Sequence, residues 1–306
     1  MLKHQDSTSW FGSYIIVRIT SNYMTEKKVA VVTGSSTGIG FETSIILAKN
    51  DFYTYATMRN TDKSQEIVDI ANRERLPIKV LQLDVNDDRS VNNAIDKILS
   101  EEKRIDILVN NAGYALVGPL EETSIDEIKS QFETNFFGAI RAIKAVLPTM
   151  RKQRSGRIVN IASMGGRIAV PLDPIYHGTK FALEGACESL QYELEQFGIK
   201  IILIEPGAIK SNFWSNLKIA KNAEQLTNTN SPYSQLIQTV SKSFESMSGN
   251  AVPAEEVAKV ILQAVTSDKP NFRYVIGKDA EMFMDTRKNM SDREFKEWMM
   301  KNFGLT

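Results

Sequence analysis

The chain reads as an α/β fold, a doubly wound parallel sheet of about seven strands with helices on both faces, and three observations predict it. Short apolar runs alternate with longer stretches of helical periodicity along most of the chain, the pattern of strands joined by crossover helices. The first run, Val29 to Val32, is β-branched and apolar throughout and reads as a buried strand. Residues able to carry chemistry fall directly after the strands, where open parallel sheets bind their ligands.

Taken in order, the strand at Val29 to Thr33 is followed by Thr33-Gly34-Ser35-Ser36-Thr37-Gly38-Ile39-Gly40 and then by a helix near 39–49. Gly34 and Gly38 permit backbone angles and close approaches that a Cβ forbids, and Gly40 lets the helix pack tightly on the strand. The helix N-terminus then offers N–H groups to a pyrophosphate. A strand at Phe52 to Thr57 precedes a helix at 62–74, and one at Ile78 to Leu83 ends on Asp84-Val85 before a helix at 87–102. The strand at Ile107 to Asn110 runs into Asn111-Ala112-Gly113, and a long helix at 123–153 carries Asn135. Ser163 follows the strand at Gly156 to Ile161, and a helix at 174–197 begins just before Tyr176. The strand at Ile199 to Ile204 leads to Pro206-Gly207-Ala208-Ile209-Lys210-Ser211. Residues 212–250, rich in Asn, Ser and Gln with scattered aromatics, break the rhythm; it resumes with a helix at 253–267, a strand at Phe272 to Ile276 and a helix at 281–302.

The stretch Tyr176-His177-Gly178-Thr179-Lys180 places a phenol and an ammonium one helical turn apart, on one face. A cation so placed favours the phenolate, which is otherwise scarce because an unperturbed tyrosine has a pKa of ~10. With Ser163 able to converge on the pair, the three make a proton-transfer site. A lone pair at this spacing is ordinarily a solvated surface feature; the glycine turn with its more selective Gly-x-x-x-Gly-x-Gly spacing changes that reading. His177 faces elsewhere on the helix and is expected to be structural or at the pocket edge.

These motifs, in this order, resemble the short-chain dehydrogenase/reductases in their compact single-domain branch, from about Val29 to about Gly277. The resemblance implies a Rossmann-type sheet and hydride transfer between a nicotinamide cofactor and a carbonyl or secondary alcohol. Tyr176 then acts as general acid and base, Ser163 holds the reacting oxygen, and Lys180 tunes Tyr176 and binds the nicotinamide ribose. Asn135 shapes the active-site helix and supports a water linking Lys180 to solvent. Gly34, Ser36, Gly38, Ile39, Gly40, Asp84, Val85, Asn111, Ala112 and Gly113 are the implied cofactor contacts, with Pro206, Gly207, Ile209 and Ser211 around the carboxamide. Ser211 stands where threonine is frequent, a mild departure since either hydroxyl bonds an amide.

Cofactor choice is read from the second strand, Phe52-Tyr53-Thr54-Tyr55-Ala56-Thr57-Met58-Arg59-Asn60, which lacks the terminal acid that would bond the ribose hydroxyls and repel a 2′-phosphate. Arg59 offers a charged fork suited to phosphate. NADP is therefore expected, held by Arg59 with a hydroxyl such as Ser36, although the glycine turn carries no basic residue of its own and NAD remains open. Met164, Gly165, Leu172 and Asp173, with Phe213, Trp214, Leu217 and Tyr233, are candidate pocket walls for a hydrophobic substrate. The stretch at Tyr55 resembles hydroxysteroid and retinol dehydrogenase-like members. The alternatives are a non-catalytic nucleotide-sensing protein, expected to lose Tyr176 or Lys180, and an epimerase or dehydratase, expected to carry another glycine spacing and a larger C-terminal domain.

Composition agrees. The 306 residues can bury a sizeable core, and 37 basic against 37 acidic side chains give no electrostatic surface for nucleic acid. The single cysteine, Cys187, excludes a disulfide framework, and with only His4 and His177 a transition-metal site is not expected. A cytoplasmic location fits. Residues 1–23 include an apolar stretch, Trp10 to Val17, too short to span a bilayer and interrupted by Arg18, without a small-residue cleavage site. They read as an N-terminal extension, disordered or a displaced start, ahead of a single domain over 24–306 whose substrate-covering segment is 212–250. Apolar residues on more than one side of the helices at 123–153 and 174–197, with the family resemblance, predict a homodimer or homotetramer.

Overall fold

In the computed structural model, which describes residues 27–210, 218–220, 231–248 and 251–306, seven parallel strands form the central sheet. They are β1 (Val29–Thr33), β2 (Tyr53–Met58), β3 (Ile78–Gln82), β4 (Ile107–Asn110), β5 (Gly156–Ile161), β6 (Ile199–Pro206) and β7 (Arg273–Ile276). Their spatial order is β7-β6-β5-β4-β1-β2-β3. The order reverses at β1, so a crevice opens beyond the carboxyl ends of β1 and β4, the switch point at which such sheets hold ligands. The extension at 1–23 lies outside the described residues, as do Ser211, Phe213, Trp214 and Leu217.

Every residue of β1 and of β4 is buried, as a strand covered on both faces must be. Val29 and Val31 face one core with Ile95, Ile143 and Leu183; Ala30 and Val32 face the other with Leu47, Val257 and Ile261. The first core lies under α3 (Asp88–Glu102), α5 (Gly138–Gln153) and α6 (Pro174–Leu194); the second lies under α1 (Gly38–Lys49) and α8 (Ala254–Thr266). The edge helix α2 (Gln65–Glu74) packs over β2 and β3 through Ile67. Pro174 opens α6 at the one helical position where a missing N–H and a fixed φ are an advantage.

Three sequence expectations are corrected. The helix read at 123–153 is α4 (Ile125–Phe132), a single π-helical turn at Glu133–Phe137, and α5. The helix read at 281–302 is two helices, α9 (Lys278–Asn289) and α10 (Asp292–Asn302). A capping box causes that break: Ser291 accepts from the Glu294 N–H while Glu294 reaches back to the Ser291 N–H, which starts a new helix. The segment 212–250 contains α7 (Ser234–Ser248), which packs through Val240 against Phe283, Met299 and Phe303 of the C-terminal elements. That cluster also takes in Ile168 and Leu172, so the C-terminal helices brace the loop between β5 and α6. Among the described residues no helix is long and apolar enough to cross a membrane.

Candidate active site at the carboxyl ends of the strands

The glycine turn follows β1 as expected, and its geometry explains its residues. Gly34 and Gly38 sit at φ +69° and +61°, in the region that side chains avoid. A Cβ on Gly40 would lie 2.4 Å from the Asn111 amide nitrogen and 2.6 Å from the Gly34 carbonyl oxygen, closer than atoms approach. Thr37 caps α1 without a side-chain bond, and the first turn holds no acidic residue. The leading N–H groups and the positive end of the helix dipole thus face the crevice, which suits a dinucleotide pyrophosphate. Ser36 and Ile39 are half-buried beside them.

Asn111, an implied cofactor contact, also holds the turn. Its Nδ2 donates to the carbonyls of Thr33 at 2.9 Å and Gly34 at 3.0 Å. Thr33, which sequence reasoning passed over, is the pivot beneath: its Oγ1 accepts from the N–H groups of Asn111 at 3.0 Å and Ala112 at 3.1 Å. Asp84 is engaged in its own turn, Oδ1 accepting from the Asn86 N–H at 3.0 Å, and Val85 is buried with its carbonyl taking a hydrogen bond from Arg141. Arg59 is exposed just past the end of β2, beside the glycine turn.

After β6, the Gly207 N–H donates to the Ile276 carbonyl at 2.8 Å and the Ala208 N–H to Asp279 Oδ2 at 2.7 Å. Asp279, on the first turn of α9, was also missed; no local pattern marks a carboxylate whose partner lies so far back in the chain. Pro206 and Ile209 are buried in this loop.

Ser163, Tyr176 and Lys180 converge. Ser163 caps the short turn Met164–Gly166 and accepts from the Gly165 N–H at 3.0 Å, and its hydroxyl shares a hydrogen bond with the Tyr176 phenol. Lys180 is buried, its ammonium 5.6 Å from the centre of the Tyr176 ring and donating to the Ile161 carbonyl at 2.7 Å. Burial pulls its pKa down to about 8, partly offset by the carboxylate of Glu184 one turn along. The expectation that the phenol sits below its ordinary pKa does not describe this state. Burial raises it, Asp173 raises it further, and the Ser163 hydrogen bond only partly opposes them.

Asn135 is buried in the π-helical turn. Its Oδ1 accepts from the Tyr114 N–H at 3.0 Å; its Nδ2 donates to the Tyr114 carbonyl at 2.8 Å and to Thr179 Oγ1 at 3.2 Å. Thr179 donates in turn to the Tyr176 carbonyl at 2.7 Å, so Asn135 ties the loop after β4 to the first turns of α6, beside Gly113. His177 is structural: Nδ1 lies 2.8 Å from the Gly165 carbonyl and Nε2 accepts from the Val170 N–H at 3.0 Å. Both nitrogens hold the loop that carries Ser163.

Of the substrate-wall candidates, Met164 and Leu172 join the apolar cluster under the C-terminal helices, Leu172 at a left-handed φ of +66°. Tyr233 instead donates to Glu121 at 2.6 Å on an exposed face. Cys187 is buried, and burial pushes its thiol pKa up to about 12, which makes it inert.

The comparisons with known proteins agree with this geometry. The family profile described as short chain dehydrogenase matches residues 28–222. The chain is similar to the 17-beta-hydroxysteroid dehydrogenase type 1 of Homo sapiens, 35% identical over 255 residues, covering 81% of this chain and 77% of the relative. It is 32% identical over 278 residues to the 3-ketodihydrosphingosine reductase of Bacteroides thetaiotaomicron, covering 91% of this chain and 98% of that one. Among solved structures, a short-chain dehydrogenase from Streptomyces avermitilis superposes with a TM-score of 0.72 at 30% identity, covering 92% of this chain and 99% of the other.

Proposed function

The chain belongs to the short-chain dehydrogenase/reductase family of oxidoreductases, and from that membership we propose that it moves a hydride between NADP(H) and a carbonyl or secondary alcohol on a hydrophobic substrate. The observation that carries the reading is the Ser163 hydroxyl bonded to the Tyr176 phenol, with the Lys180 ammonium buried on the same helix. A bound nicotinamide supplies or accepts the hydride. Tyr176 transfers the proton: its raised pKa keeps the phenol protonated at neutral pH, the state in which it gives a proton to a developing alkoxide. Ser163 holds the reacting oxygen within reach of that phenol. Lys180, directed by the Ile161 carbonyl, places a positive charge beside Tyr176 that favours phenolate once the proton has left. Asn135 acts by position, holding Thr179 and hence the start of α6.

Preference for NADP(H) is supported by Arg59, exposed at the end of β2 with no ion-pair partner among the described residues, and by the absence of an acid there. Ser36 adds a hydroxyl on the adjoining turn. A hydrophobic substrate is supported by the names of the two relatives and by the apolar surroundings of Met164 and Leu172. Assembly as a homodimer or homotetramer is supported by Phe137 of the π-helical turn and Phe181 of α6, 48% and 47% exposed.

The test is a panel of hydrophobic ketones and secondary alcohols with both cofactors, followed at the reduced-nicotinamide absorbance. Tyr176→Phe should lower turnover by roughly 10² to 10⁴ while cofactor still binds. Near-normal turnover in that variant overturns the mechanism. A clear preference for NAD(H), or unchanged NADP(H) use in Arg59→Ala, removes Arg59 from the site.

A further inference from the structure

Side chains of a helix lean toward its N-terminus, so Arg141, on the first turn of α5, runs back over the π-helical turn. Its guanidinium is used on three sides. Nη2 donates to Glu133 Oε1 at 2.6 Å, Nε donates to Asp88 on the first turn of α3, and Nη1 donates to the Val85 carbonyl at 2.6 Å. The Glu133 and Asp88 side chains are 40% and 76% exposed, and ion pairs that water reaches hold little. The Val85 contact is of another kind. Val85 is buried, its carbonyl takes a charge-assisted bond, and its side chain rests on bare backbone: a Cβ on Gly138 would lie 2.9 Å from both Val85 Cβ and Cγ2. The residue after β3 is thus gripped by α5 through its carbonyl and through its side chain. With two substituents of its Cα held, tetrahedral geometry fixes the third, and the Val85 N–H has one direction. Its neighbour Asp84 is oriented as well, since Oδ1 accepts from the Asn86 N–H at 3.0 Å and leaves Oδ2 for another donor.

We propose that Arg141 is a positioning residue for the base of the cofactor: by holding Val85 against Gly138 it aims the Val85 N–H and the Asp84 carboxylate at one edge of the ring, and so makes the site select adenine. The inference rests on Asp84 and Val85 as cofactor contacts in the reading above. The chemistry is complementary. A carboxylate accepts from the exocyclic amine of adenine, and a backbone N–H donates to the adjoining ring nitrogen. Both bonds are directional, so a small rotation of Val85 loses them while the phosphates stay bound to the glycine turn. The contact that sets the rotation spans 56 positions of sequence, from Val85 to Arg141. Through Glu133 the same guanidinium also reaches the turn that carries Asn135, so one side chain references the base-binding loop to the helix behind the proton-transfer site.

The experiment titrates NADPH and reduced nicotinamide hypoxanthine dinucleotide phosphate, by nicotinamide fluorescence, into the wild type, Arg141→Met, Gly138→Ala and Asp84→Asn. Hypoxanthine puts a carbonyl where adenine has its amine and an N–H where adenine has an acceptor, so it inverts both contacts and leaves the phosphates, riboses and nicotinamide unchanged. The readout is the ratio of the two dissociation constants. A merely structural role for Arg141 weakens both ligands alike and does not move that ratio. The same ratio is read with NADH and its hypoxanthine analogue, so the choice of cofactor does not enter. The wild type should bind the adenine form about tenfold or more tightly, and Arg141→Met should bring the two forms within about threefold of each other. Gly138→Ala, which leaves Arg141 intact and pushes Val85 away, should do the same, and it carries the test where the arginine variant does not fold. A ratio that stays within about threefold of the wild-type value in these variants overturns the role of Arg141. If Asp84→Asn lowers the ratio in that case, the cofactor contacts stand without it. Equal binding of the two forms by the wild type overturns the base contacts and the proposal together.

Discussion

Replacing Thr33 by valine preserves shape and removes one oxygen, and the structure says what that oxygen does. Thr33 is buried, and its Oγ1 donates to the Val109 carbonyl at 3.3 Å and accepts from the Asn111 and Ala112 N–H groups. Valine leaves both donors without an acceptor, at about 1–3 kcal/mol for each well-buried group. Asn111 and Ala112 are half-buried, so the pair should cost about 2–4 kcal/mol. Thr33→Ser keeps the oxygen and loses a methyl, about 1 kcal/mol. Hydrophobicity alone ranks the two variants the other way round. Urea denaturation at constant slope measures the difference, and fluorescence titration with reduced dinucleotide reads whether the turn still presents its N–H groups. The expected order of stability is wild type, then Ser, then Val, with weaker dinucleotide binding confined to Val. A Val variant as stable as Ser, binding dinucleotide normally, refutes the claim that this hydroxyl holds the turn.

At Gly207 an added Cβ would lie 2.3 Å and 2.4 Å from the two Asp279 carboxylate oxygens, so Gly207→Ala should cost about 1–3 kcal/mol and weaken cofactor binding. Its cost should shrink when combined with Asp279→Ala, and strict additivity in that double-mutant cycle shows the two are not in contact. Asp173 keeps its proton in the fold to about pH 8, against an ordinary carboxyl value of 3.8. Between those values the folded chain binds more protons than the unfolded one, so this group's contribution to stability falls as pH rises. Asp173→Asn should therefore gain in Tm over the wild type as pH goes from 5 to 8, and a gap that narrows contradicts the direction. Light scattering at micromolar concentration should give a dimer or tetramer that Phe181→Glu shifts toward monomer; a monomeric wild type rules the assembly out.

Much of the site was legible because its chemistry depends on residue type at short spacing. Tyr176 and Lys180 share one helix face, and Gly34 to Gly40 form one turn; both patterns are local and survive whatever surrounds them. The break between α9 and α10 also has a local signal, the capping box of Ser291 and Glu294. Asn135 was found, but its work of joining Tyr114 to Thr179 was not, since those bonds span 21 and 44 positions.

Sequence alone determined the alternation of strands and helices, the buried character of β1, the glycine turn and the placing of Tyr176 and Lys180 on one helix face, because periodicity and backbone sterics act within a few residues. Tertiary structure decided the rest. Thr33 serves a loop that starts 78 positions away, and Asp279 an amide 71 positions back. The pKa of Tyr176 went against the local expectation because burial, a property of the assembled core, outweighed the hydrogen bond from Ser163. Whether a carboxyl such as Asp173 finds a partner is decided the same way, by which atoms the fold brings within hydrogen-bonding distance and which it screens from water.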